Sequence, residues 1–115
     1  MFQVEFYETK DGTRPVAVFL DSLDNKMAAK LVGLLEILEE YGPTLRMPYS
    51  RSLGDGIFEL RCVLGSNITR VLYFFYTGKK IILTNGFIKK TQKTPSHEIS
   101  LAKERRADWI ARHCS

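Results

Sequence analysis

Ile57–Pro95, IFELRCVLGSNITRVLYFFYTGKKIILTNGFIKKTQKTP, is the stretch whose reading decides the fold. Ile57 to Leu64, Ile68 to Tyr76 and Ile81 to Ile88 are rich in β-branched and aromatic residues, and Gly65-Ser66 and Gly78-Lys79 punctuate them. That pattern predicts three antiparallel strands in a meander, ending in a basic tail. Gly before Ser suits a two-residue type II′ turn, which needs a positive φ at its first position. Leu64 then pairs with Asn67, and counting back sets Arg61 opposite Arg70. One face carries Ile57, Glu59, Arg61, Val63, Ile68, Arg70, Leu72 and Phe74. The other carries Phe58, Leu60, Cys62, Leu64, Thr69, Val71, Tyr73 and Phe75; having no charge, it is the expected core face.

Two arginines opposed across a ladder repel, so an anion is expected between them. A two-residue turn at Gly78-Lys79 pairs Thr77 with Lys80. The same counting brings Asn85 and Phe87 onto the arginine face, with Lys89 just beyond; a bulge would substitute Lys90.

Working outward, Phe2–Tyr7 alternates as a strand does and should join the sheet. Pro15 is placed to open a short helix running to about Leu23. Ser22 or Asp24 can cap a second helix, whose stripe Met27, Leu31, Leu34, Leu35, Leu38 and Tyr41 reads as core, with Gly42-Pro43 as its stop. Thr44–Ser52 has no clear period and is expected to be a loop with an optional edge strand, and Leu53–Gly56 a turn. Thr94 as cap and Pro95 as first residue would open a last helix, with Ile99, Ala102, Trp109 and Ile110 on a thin apolar stripe.

The chain has 115 residues and a net charge of +4, with nine basic and three acidic side chains in residues 79–115. Its length fits one domain, residues 1–115, with a core that needs no staple. The basic end points toward a polyanion. Cys62 and Cys114 form neither a disulfide framework nor a metal-ligand spacing, no leader or membrane-spanning run is visible, and a reducing cytoplasm fits. The usual nucleotide-loop, Ser-His-Asp and metal motifs are absent from the sequence, so no cofactor and no metal are expected.

A short basic run such as Lys89–Thr94 is more often a solvated loop. Arg61 and Arg70, inside strands and on one side, shift the reading to phosphate binding. Glu59 is then either a general base or an ion-pair partner holding Arg61. His97 and His113 are proton-donor candidates, although a lone exposed histidine is more often idle. Phe74 and Phe87 could stack on bases, or simply be core.

The motifs LGDGIFELR, RVLYFF, GFIKKTQKTP and EISLAKERRADW resemble the RelE/HigB superfamily of bacterial toxins, in its phage-derived branch. The resemblance implies an α+β fold: a small antiparallel, mixed-edge sheet with two N-terminal helices on one face and a C-terminal helix. It implies an mRNA endonuclease acting on translating ribosomes by attack of the 2′-hydroxyl on the adjacent phosphate, neutralised in a hetero-oligomer by a helix-turn-helix antitoxin. Arg61, Arg70 and Lys90 match the family's basic catalytic residues, Lys89 and Lys93 stand close by as RNA-binding residues with Glu59 and Phe87, and His97 or His113 would have to supply the general acid used by some relatives. The rival from another class is a non-catalytic toxin or RNA-binding module on the same scaffold. ParE-like gyrase poisons are its example, and they lack the basic set.

Overall fold

In the computed structural model, which describes residues 1–88 and 93–113, a five-stranded sheet is ordered β1-β5-β4-β3-β2, with strands β1 (Gln3–Phe6), β2 (Ser50–Gly54), β3 (Ile57–Leu64), β4 (Asn67–Tyr76) and β5 (Lys80–Ile88). β1 runs parallel to β5 and every other pair is antiparallel, giving the mixed-edge α+β sheet. Helices α1 (Pro15–Ser22) and α2 (Asn25–Tyr41) cover one face, and α3 (Ser96–His113) covers the other.

The α1/α2 side holds the main core. Asp24 caps α2 by accepting the Met27 N–H at 2.8 Å, and the stripe Met27, Leu31, Leu34, Leu35 and Leu38 packs on Leu60, Cys62, Val71 and Tyr73, the uncharged face of the meander. Each such leucine contributes about 1.5–3 kcal/mol by leaving water. Tyr41 departs from the expected stripe: it is half exposed, because Gly42 ends the helix with φ 53° directly over the Phe2 ring.

The arginine face is not a solvent face throughout. Ile57, Leu72, Phe74 and Ile82 form a second core with Ala102 and Trp109 of α3, so the middle of the sheet is covered on both sides. The second hairpin also differs from expectation, since Tyr76 rather than Thr77 pairs with Lys80 across a three-residue loop. Thr84 then stands as an extra residue in β5, between Leu83 opposite Tyr73 and Asn85 opposite Leu72. Loop and bulge cancel, so Asn85 and Phe87 reach the arginine face after all. The bulge is stitched shut: the Thr84 hydroxyl donates to the Leu72 carbonyl at 3.2 Å, and Arg105 of α3 donates to the Thr84 carbonyl at 2.8 Å.

Candidate active site

The β3–β4 ladder sets Arg61 directly opposite Arg70, and β5 sets Phe87 opposite Arg70. One row away, Arg51, Glu59, Leu72 and Asn85 follow one another across β2, β3, β4 and β5. Residues opposed in a ladder share a face, so the topology gathers these side chains on one side of the sheet.

Glu59 organises the group from a fully buried position. Its Oε1 accepts from Arg70 Nη1 and, at 3.1 Å, from Arg51 Nε; its Oε2 accepts from the Thr94 hydroxyl. Arg51 also reaches Thr94 Oγ1 at 3.4 Å. Of the two readings for Glu59, the ion-pair role fits this geometry, but its ion pairs run to Arg70 and Arg51 rather than to Arg61. Thr94 is not a helix cap. α3 starts at Ser96, and the Thr94 hydroxyl is used on Glu59 instead.

The anion expected between the arginines is thus partly the protein's own. It is not enough: Arg51, Arg61 and Arg70 are three guanidiniums around one carboxylate, and among the described residues Arg61 makes no ion pair. Nε of Arg61 and Nε of Arg70 are buried without a partner among the described residues. Burial pulls the Arg70 pKa below its ordinary value, Glu59 opposes that, and the charges of Arg61 and Arg51 add to it. A guanidinium stays protonated nonetheless. What remains is a partly desolvated surplus of positive charge with forked N–H donors, the requirement for binding a phosphate oxygen pair.

Comparison with known families places the chain. Residues 18–107, which include Arg51, Glu59, Arg61, Arg70 and Thr94, match the family described as phage derived protein Gp49-like (DUF891). The chain belongs to that family. Gp49-like proteins are associated with RelE-like toxins. No curated protein matches the chain.

The remaining expected residues of the Gp49-like chain divide. Phe74 is core, edge-on to Trp109 at 5.9 Å, whereas Phe87 is half-buried beside α3 and faces Arg70. His97, in the first turn of α3, is 79% exposed; its Nε2 lies 3.5 Å from Glu98, whose other oxygen accepts from Asn85 at 2.8 Å. Its link to the arginine face is therefore indirect. His113 stacks on Trp109 at 4.1 Å and lines a cleft of about 400 Å³ beside β1, at the sheet edge opposite β2. Lys93 is exposed and directly precedes Thr94. Lys89 and Lys90 lie outside the described residues.

Arg51 is the site residue the sequence reading passes over. A two-residue Asp55-Gly56 turn does pair Gly54 with Ile57, but an irregularity between Ser52 and Gly54 shifts the ladder, so that Arg51 meets Glu59. Simple counting would have set it against Leu60. Among the described residues no three metal-ligating side chains converge, and no helix is long and apolar enough to cross a membrane.

Proposed function

We propose that this chain is the toxin of a toxin–antitoxin pair, of the HigB-like branch, and that it cuts mRNA on translating ribosomes in the cytoplasm. The observation that carries the reading is the Arg61–Arg70 pair, opposed across one ladder and left with more positive charge than Glu59 neutralises.

In this reaction the RNA 2′-oxygen attacks the adjacent phosphorus as its proton leaves, and the bond from phosphorus to the 5′-oxygen breaks. The products are a 2′,3′-cyclic phosphate and a 5′-hydroxyl that has gained a proton. Arg61 and Arg70 stabilise the charge that builds on the non-bridging oxygens. Glu59, too buried to meet RNA, acts by holding Arg70 and Arg51 in place. By the family resemblance Lys90 joins Arg61 and Arg70 in the catalytic set and Lys89 and Lys93 bind RNA, and His97 is the candidate donor to the leaving oxygen.

Primer extension on mRNA after brief expression is expected to find new 5′ ends within translated frames. In purified programmed ribosomes the same cuts should persist when free divalent ions are chelated to a level the ribosomes survive, because the 2′-oxygen is the nucleophile. Intact mRNA with arrested growth would instead favour the non-catalytic toxin.

A helix-turn-helix antitoxin is expected to act sterically, on the exposed Val18, Val32 and Ile37 of α1 and α2 or on a sheet edge, rather than by filling the arginine site. Its affinity should then fall only weakly with salt and survive Arg61→Ala, since desolvated apolar contacts are little screened. A steep salt dependence, together with lost binding to that variant, would place the antitoxin in the active site.

A further inference from the structure

We infer that Tyr49 is a stacking platform for the RNA base next to the phosphate held by Arg61 and Arg70, an inference that rests on the ribonuclease reading above. The Arg61 N–H donates to the Tyr49 carbonyl at 2.7 Å, which carries the β2–β3 ladder one position beyond Ser50 and sets Tyr49 opposite Arg61. Tyr49, just before β2, and Arg61, Arg70 and Phe87 of β3, β4 and β5 therefore form one row, an arginine pair between two aromatic residues. Opposed residues of a ladder share a face, so this register sets Tyr49 on the side of the arginines.

The main chain of Tyr49 is hydrogen-bonded, and its side chain is half exposed. Its N–H donates to the Arg46 carbonyl at 3.0 Å, as does that of Ser50 at 3.2 Å. Yet the residue is 47% exposed, and among the described residues its ring has no aromatic neighbour and its hydroxyl no hydrogen bond. The buried rings Phe74, Tyr73 and Trp109 all have such neighbours. A half-exposed aromatic residue in the same row as two arginines suits a ligand that is both anionic and aromatic, and a nucleotide is both. Adjacent strands lie about 4.8 Å apart, so the ring stands one strand from Arg61 and two from Arg70. That span is comparable to the reach from a phosphate to its own base. Phe87 offers less at the other end of the row, being packed against α3.

The test is single-turnover cleavage of mRNA on programmed ribosomes, with the bases flanking the cut phosphate present or individually removed. Tyr49→Ala should slow cleavage about 10-fold and alter which sites are cut, while Tyr49→Phe keeps both rate and site choice. Removing one flanking base should slow the wild-type protein by a similar factor and the Tyr49→Ala protein no further. Circular dichroism and thermal melting confirm that the variants fold, as expected for an exposed ring. Equal slowing of both proteins by base removal, an unchanged rate in Tyr49→Ala, or no rescue by Tyr49→Phe would overturn the inference while the ribonuclease reading stands. If the wild-type protein leaves every mRNA intact, both fall together.

Discussion

Arg61→Ala is expected to slow mRNA cleavage on the ribosome about 10²–10³-fold, the usual loss when one preorganised donor to a developing oxyanion is removed, and to leave the fold as stable as before. The second half follows from the ladder. Arg61 makes no ion pair among the described residues and faces Arg70, so removing it ends a repulsion and strands no carboxylate. Arg70→Ala should lose as much activity but is a poorer probe, because Arg70 is almost wholly buried and its removal deprives Glu59 of a partner. Single-turnover rates and urea midpoints for Arg61→Ala check both parts. Wild-type cleavage by the folded variant would remove Arg61 from the mechanism.

Glu59→Ala should have the largest effect on stability, about 3–5 kcal/mol, because breaking a buried ion pair leaves an uncompensated charge inside. For a domain whose whole stability is about 5–15 kcal/mol, the variant would be partly unfolded at moderate temperature. Arg70 would keep its buried position with Arg61 opposite and no carboxylate beside it, and the Thr94 hydroxyl would lose its acceptor. A compensating pair makes the cause visible: Glu59→Leu combined with Arg70→Leu should be much more stable than Glu59→Ala, since no charge is then stranded. Urea denaturation of the three proteins measures this. An unchanged midpoint for Glu59→Ala would mean that the network carries no stability.

The arginine pair was legible because a two-residue turn leaves no slack: with Gly65 at φ 61° and Leu64 paired to Asn67, no other register between β3 and β4 exists. The uncharged face was legible for a similar reason, as no alternative surface could cover the stripe of α2. Less was legible wherever a strand carries an extra residue, because a period of 2 changes sides at every bulge. The irregularity before Gly54 conceals the meeting of Arg51 with Glu59, and Thr94, suited by type to a helix cap, is drawn to the buried carboxylate instead. The second core is hidden from the sequence for another reason. A thin stripe on α3 is enough when the sheet itself supplies Ile57, Leu72, Phe74 and Ile82.

The extra residue at Thr84 separates two parts of the sheet that would otherwise be geared together. On the far side of it lies the β4–β5 loop, and on the near side lie Asn85 and Phe87 beside Arg70. Since the Thr84 hydroxyl and Arg105 hold the irregularity in place, the loop end can differ in length by a residue without reversing the strand that passes the arginines. Flattening the bulge with Thr84 still in the strand has the opposite consequence: with the loop unchanged, Thr84 would pair with Leu72 and every residue after it would turn over, so that Asn85 would leave Glu98 and Gly86, which sits tight against the Phe19 ring, would take the place of Phe87 opposite Arg70. The bulge acts as a clutch: it takes up the odd residue of the three-residue loop, so that Phe87 stays opposite Arg70.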